Sequence, residues 1–203
     1  MSLNDKSTLR KQIRNVRNSL TVSQQAAASV GLLGQLKSLE VFTRAQRVAM
    51  YLANDGEIDP GPTMEWCWQQ GMHTYVPIVF QERGRNFMKF CGVDAETQFD
   101  KNRFGISEPL YSLQDLVSPE ELDLVLLPLV AFDSAGNRIG MGGGFYDTTF
   151  EFLRENIEQK PLLVGIAHSV QKVGEITSEL WDIPLSIVVT DQEVHYLSAT
   201  GAN

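Results

Sequence analysis

Apolar residues recur at helical spacing near the start of the chain. Leu9, Ile13, Val16 and Leu20 share one stripe at about 100° per residue, which predicts a helix over residues 6–20 with that stripe buried. Lys6, Arg10, Arg14 and Arg17 form a second stripe about 85° round the same helix, so the cations flank the buried seam and either face solvent or line a groove. A second helical pattern covers about 22–39. Arg47–Ala53 then reads as a buried strand and Asn54-Asp55-Gly56 as a turn, with the carboxylates Glu57 and Asp59 directly after it. Residues 62–70 are predicted helical with Gly71 as C-cap, and His73–Phe80 is predicted to be a second strand.

Phe87–Cys91 gives a short strand after the turn Glu82-Arg83-Gly84-Arg85. A loop containing Asn102–Pro109 leads to an acidic run at Glu120 and Glu121, which predicts a helix start. Asp123–Leu127 is almost unbroken Leu and Val, the pattern of a central parallel strand covered on both faces. A glycine-rich segment follows, then a helix over about 145–158 and strands at Leu162–Ala167, Ile187–Val189 and Val194–Leu197. Strands alternating with helices predict an α/β layered sheet, and the 203 residues, without an internal repeat or a Pro/Gly/Ser-rich linker, predict one domain over 1–203.

At 43% hydrophobic and 21% charged residues, the chain has the composition of a folded globular protein. Its net charge of −8 argues against a surface that tracks nucleic acid, but residues 1–20 carry five cations and one anion, +4, leaving −12 for the rest. No run approaches the roughly 18 apolar residues of a membrane span, and the N-terminus lacks the apolar core of a signal peptide, so a cytoplasmic protein is expected. Cys67 and Cys91 form no CxxC pair, and His73, His168 and His195 show no metal-ligand spacing, so zinc, redox and disulfide chemistry are not indicated.

Residues 133–147 read Asp-Ser-Ala-Gly-Asn-Arg-Ile-Gly-Met-Gly-Gly-Gly-Phe-Tyr-Asp, between a buried strand and a helix. Glycines at 140, 142, 143 and 144 let backbone N–H groups close on phosphate oxygens in front of the positive end of the following helix, and Arg138 adds a cation. The segment is neither a Walker A loop nor a dinucleotide fingerprint, because no Gly-Lys-Ser/Thr follows and Phe145 stands where the third glycine would be. Asp147 would repel a phosphate bound beside it unless a divalent cation lay between them. That makes a Mg-nucleotide site one reading and an ordinary helix-start Asp the other.

The chain resembles the 5-formyltetrahydrofolate cyclo-ligase family from near residue 6 to about 190. The resemblance is carried by Lys6-Ser-Thr-Leu-Arg10, Tyr51-Leu52 to Glu57-Ile58, Asn102 to Pro109, and Leu126–Asp133 running into Gly136–Asp147. It implies a three-layer α/β/α fold with a mostly parallel central sheet, similar to the ribose-phosphate isomerase and CoA-transferase (NagB/RpiA-like) group. It also implies ATP- and magnesium-dependent conversion of 5-formyltetrahydrofolate to 5,10-methenyltetrahydrofolate; a monomer acting on these small molecules, without a nucleic-acid or membrane partner, is expected.

By the same resemblance, Lys6, Arg138 and Tyr146 are the catalytic groups. Lys6 and Arg10 meet the ATP phosphates, and Arg138, Ile139, Gly140, Met141, Gly142, Gly143, Gly144, Phe145 and Tyr146 wrap the nucleotide. Leu52 and Glu57 contact the folate together with residues 141–145, and Asp147 and Asp182 serve magnesium. Some relatives carry basic residues in the glycine loop where this sequence has Met141 and Gly143, which shifts phosphate binding onto Lys6, Arg10, Arg138 and backbone N–H groups.

Each assignment has a plainer counterpart in the residues themselves: Glu57 as a loop carboxylate, Asp182 as a turn or cap, and aromatic residues after the loop as core. A same-fold sugar-phosphate enzyme without ATP chemistry would use the loop and leave Lys6, Arg10 and Asp147 idle. A non-catalytic domain would use the basic helix to bind RNA or a protein partner.

Overall fold

A computed structural model describes residues 3–101, 107–154, 160–177, 179, 182–183 and 185–197. The chain opens with helices α1 (Leu3–Asn18), α2 (Val22–Lys37) and the short α3 (Glu40–Thr43), then strand β1 (Arg47–Ala49) and α4 (Gly61–Gln69). A hairpin of β2 (His73–Glu82) and β3 (Arg85–Val93) follows, then a small ribbon of β4 (Phe99–Lys101) and β5 (Ser107–Pro109), and the edge strand β6 (Leu116–Val117). After these come β7 (Leu124–Pro128), the two-residue strands β8 (Ala131–Phe132) and β9 (Arg138–Ile139), helix α5 (Phe145–Thr149), β10 (Leu162–Ile166), β11 (Ile187–Val189) and β12 (Val194–Tyr196).

The main sheet has the order β12-β11-β10-β7-β1-β2-β3-β6. The strands from β11 to β2 are parallel, whereas β12, β3 and β6 pair antiparallel at the flanks. The central strands β7, β10 and β11 are buried on both faces, as their apolar residues require. Leu124 and Leu126 of β7, with Val48, Val164 and Ile166, pack against Leu32, Leu36, Phe42, Met64 and Cys67 from α2–α4. Val125 and Leu127, with Ala49, Leu163 and Val188, face Phe150, Leu153 and Ile183 on the other side. The alternation follows from the two-residue period of a strand.

Several elements depart from the sequence expectations. The strand expected over Arg47–Ala53 pairs only through Ala49, because the chain leaves the sheet after Met50 to form the 51–60 loop, where the Tyr51 hydroxyl donates to the Ile58 carbonyl at 2.6 Å. The hairpin runs past Phe80 to Glu82↔Arg85, since backbone pairing continues where side chains turn polar; Arg83 and Gly84, at φ 51° and 79°, form the left-handed turn. The helix start expected at Glu120 and Glu121 is a single 3₁₀ turn, Pro119–Glu121, because buried Leu122 leads straight into β7. The helix expected over 145–158 is α-helical only through Thr149, whose hydroxyl accepts from Met88 N at 2.9 Å, and continues as a 3₁₀ turn over Glu151–Arg154. Residues 155–158 of that helix and Asn102–Ile106 of the expected loop lie outside the described residues.

Candidate active site

From β1 the chain moves to β2 on one side of the sheet, and from β7 it moves through β10 to β11 on the other, so strand order reverses between β1 and β7. Ligands of open α/β sheets bind outside the carboxyl ends of the strands at such a reversal. The segments leaving those two ends are the 51–60 loop after β1 and the β8–β9 hairpin with the glycine loop after β7. These are the segments singled out in the sequence for folate and nucleotide.

The hairpin is held by Asp133, a buried carboxylate. Its Oδ1 accepts from Ala135 N and Asn137 N, and its Oδ2 from Asn137 Nδ2 and Ile176 N, all at 2.9 Å. Asp133 was legible only as part of the motif; its function is to fix where Arg138 and Gly140 emerge. Gly140–Gly144 are exposed, with Gly142 and Gly144 at φ 93° and 68°, a conformation that favours glycine. Gly144 precedes α5, which has only five residues, so the helix-end contribution expected for anion binding is small and the work falls to N–H groups and side-chain cations. Asn86 of β3 donates to the Gly143 carbonyl at 2.9 Å, tying the loop to the long hairpin.

Helix α1 lies against this loop. Leu9 and Ile13 pack on Val130, Ala131, Ile139 and Ile176, and Arg10 Nε donates to the Gly140 carbonyl at 2.8 Å. Val16, expected in the buried stripe, is 42% exposed, and Arg17 is fully buried in its place. The seam ends on the polar turn at 54–57, which an aliphatic side chain cannot satisfy but a guanidinium can. Arg10, Lys11, Arg14 and Asn18 line a groove of about 530 Å³ along the outer side of the helix.

The other expected cations are already paired. Lys6 Nζ is buried and lies 2.9 Å from Glu179 Oε1. Arg138 Nη2 lies 2.6 Å from Asp147 Oδ1, and its Nη1 donates to the Ile183 carbonyl. Asp147 Oδ1 also accepts from Ile183 N at 3.2 Å, which brings the segment containing Asp182 beside the loop. Asp182 closes a local turn: its Oδ2 accepts from Glu179 N at 2.8 Å and its own N donates to the Glu179 carbonyl at 3.0 Å. Trp181 and Pro184, which frame it in sequence, lie outside the described residues. Among the described residues no three His, Cys, Asp or Glu side chains gather to form a metal cage.

Of the residues expected to contact folate, Leu52 is half-buried against the helix-side core and Glu57 is largely buried. Burial raises the Glu57 carboxyl above its ordinary range, and Arg17, 3.7 Å away, opposes that rise. Tyr51 and Tyr146 lie near enough to feel Glu57; burial first, and then its charge, raises both phenols. Phe145 and Tyr146 pack on the second core, Tyr146 stacked with Phe150 at a centroid distance of 6.3 Å. The arrangement therefore sets a Tyr-Glu-Tyr cluster beside a cation-lined glycine loop. Its cations and N–H groups suit an anion and its buried polar side chains suit a hydrogen-bonding ring, and among the described residues it shows no Ser-His or Cys-His hydrogen bond of the kind nucleophilic catalysis uses. Cys67 is packed in the core, where burial pushes its thiol up to about 12.

Residues the sequence reading left without a role complete the site. His168 Nε2 is 3.2 Å from the Gly56 carbonyl in the 54–57 turn, and Gln171 Nε2 donates to the Leu129 and Val130 carbonyls just after β7 at 2.6 and 2.9 Å, so the two brace the two segments that lead into the site. Isolated His and Gln carry no periodic or motif signal that would have identified them.

The chain matches the family model for 5-formyltetrahydrofolate cyclo-ligases over residues 2–191. It is 34% identical to a 5-formyltetrahydrofolate cyclo-ligase of Haemophilus influenzae, over 91% of this chain and 97% of the relative. It is 36% identical to the enzyme of that name from Escherichia coli K12, over 90% and 98%. The NMR structure of Aquifex aeolicus 5,10-methenyltetrahydrofolate synthetase superposes with a TM-score of 0.77 at 29% identity, covering 98% of this chain and 94% of that one. The chain belongs to the 5-formyltetrahydrofolate cyclo-ligase family.

Proposed function

We propose that this chain converts 5-formyltetrahydrofolate to 5,10-methenyltetrahydrofolate with consumption of ATP, acting as one catalytic unit and as a cytoplasmic monomer on small-molecule substrates. The observation that carries the reading is the docking of a basic helix on a glycine loop, with Arg10 Nε 2.8 Å from the Gly140 carbonyl and Arg138 two residues before that carbonyl, in a chain of this family. The grouping with ribose-phosphate isomerase and CoA-transferase folds is part of the same proposal.

The chemistry requires activation, because a formyl oxygen is a poor leaving group. It attacks the γ-phosphorus of ATP and ADP departs. The second folate nitrogen then attacks the activated carbon and gives up its proton to solvent, and phosphate leaves with the former formyl oxygen. Positioning and charge neutralisation suffice for such a transfer. Lys6, Arg10 and Arg138 supply cations and residues 139–144 supply N–H donors, while Tyr146 and Phe145 form the floor. Leu52 and Glu57 orient the folate ring, the Glu57 carboxyl being raised above its ordinary range by burial.

Asp147 fits a magnesium ion bound mainly through nucleotide phosphates, since one carboxylate is enough for that mode and its described contacts all fall on Oδ1. When bound, magnesium neutralises phosphate charge. Asp182 would serve only by giving up its turn contacts. ATP phosphates would compete with Glu179 for Lys6 and with Asp147 for Arg138, two cations that are ion-paired in the structure, whereas Arg10 meets only the Gly140 carbonyl. Turnover with substrate carrying ¹⁸O in the formyl group tests the sequence of steps: label recovered in inorganic phosphate is expected, and label released to water overturns it.

A further inference from the structure

The 54–57 turn is bound to α1 by contacts that the chemistry above does not use. Asp55 Oδ2 accepts from Arg14 Nε at 2.6 Å and from Arg17 Nη2 at 2.8 Å, and its Oδ1 accepts from Asn18 at 3.1 Å. Arg17 Nε donates to the Asp55 carbonyl at 2.8 Å, and its Nη1 lies 3.4 Å from the Leu129 carbonyl at the end of β7. The same guanidinium stands 3.7 Å from Glu57 Oε1. Gly56 lies so close to the helix that a Cβ there would be 2.4 Å from Asn18 Oδ1. With Arg17 fully buried, this is not an exposed pair of the kind that contributes little.

Helix α1 therefore has two ends with two duties. Lys6 and Arg10 touch the nucleotide side, and Arg14, Arg17 and Asn18 grip the turn that carries Glu57. Arg10 and Arg17 are only about 10 Å apart at 1.5 Å per residue. The Lys6–Glu179 pair gives the first end two alternative anionic partners, the protein carboxylate or a phosphate, and an α-helix transmits a change of seating along its length.

We propose that Asp55 and Arg17 are positioning residues that couple the two substrate sites, so that a nucleotide at the glycine loop tightens folate binding through α1 and the Asn54–Glu57 turn. The inference rests on the assignment of the two sites given above. Allosteric coupling of ordinary size changes affinity by about 5- to 150-fold, and it is reciprocal.

The test is calorimetric titration of 5-formyltetrahydrofolate into the full chain with and without Mg²⁺ and a non-hydrolysable ATP analogue, and the converse titration. The expected result is at least about a fivefold tightening, of equal factor in both directions. In Asp55→Asn that factor falls towards one while each ligand still binds alone, an effect that a merely structural role would not produce. Arg14→Gln, which removes the solvent-facing half of the clasp, lowers the factor in the same direction and decides the matter if Asp55→Asn does not fold. A wild-type factor of one, or an unchanged factor in the variants, overturns the coupling while leaving the substrates intact. Failure of the wild type to bind either ligand overturns the substrate assignment and the coupling with it.

Discussion

Replacing Arg17 by Met removes a fully buried charge from the junction of α1, the 54–57 turn and the end of β7. The Asp55 carbonyl loses its donor, the Leu129 carbonyl is left with Gln171, and Glu57 loses the cation 3.7 Å from its carboxylate. Breaking a buried pair by removing one partner costs about 3–5 kcal/mol. Asp55 keeps Arg14 and Asn18 and its side chain is 26% exposed, which places the loss near the lower end, about 3 kcal/mol. At about 2–4 °C per kcal/mol for a chain of this size, the melting temperature should fall by about 6–12 °C at pH 7 in a circular-dichroism melt.

The deficit should narrow on acidification. Without Arg17 the folded Glu57 binds its proton more tightly than in wild type, so the destabilisation is full above that raised pKa and is relieved as the pH falls through it. A fall of less than about 2 °C, or a deficit that grows below pH 5, would refute the reasoning.

The glycine loop offers a paired prediction. A Cβ at Gly143 would sit 2.9 Å from the Phe145 ring, whereas one at Gly140 meets nothing within 4 Å, so Gly143→Ala should weaken ATP binding and lower the melting temperature while Gly140→Ala leaves the melting temperature unchanged; equal melts would contradict this. Asp55 is held at about 2 by Arg14 first and then by Asn18 and Arg17, below an ordinary 3.8. Its stabilisation of about 2 kcal/mol is thus present above pH 4 and lost as the pH falls towards 2, and the stability gap between wild type and Asp55→Asn should close over that range in denaturant titrations. Asp147→Asn should lower activity at limiting magnesium and recover in part at excess; full activity at limiting magnesium rejects its ligand role. Lys6→Ala should raise the KM for ATP more than that for folate, and equal effects on both would count against a phosphate contact.

Much of the fold is legible because the central parallel strands β7, β10 and β11 are apolar throughout. The Leu/Val run at 123–127 corresponds to β7, flanked by parallel partners on both sides, and Ile187–Val189 coincides with β11. What escaped was set by polar backbone pairing or by tertiary contact. The ends of the β2–β3 hairpin carry no apolar signal, and α5 is cut short where Thr149 bonds to β3. At the site, the glycine loop and basic helix stood out by composition. Their juxtaposition required the Arg10–Gly140 contact, and Arg17 reversed its expected place because a charged turn 38 residues away needed a donor. Asp133, Glu179 and His168 act through partners distant in sequence, which no local pattern records.

The central claim is ATP-dependent ring closure of 5-formyltetrahydrofolate, and the near-ultraviolet absorbance of the methenyl product measures it directly. Purified, folded protein mixed with 5-formyltetrahydrofolate, ATP and magnesium should give a rise in that absorbance that is abolished by omitting ATP. No rise, or one that proceeds equally without ATP, would contradict the account.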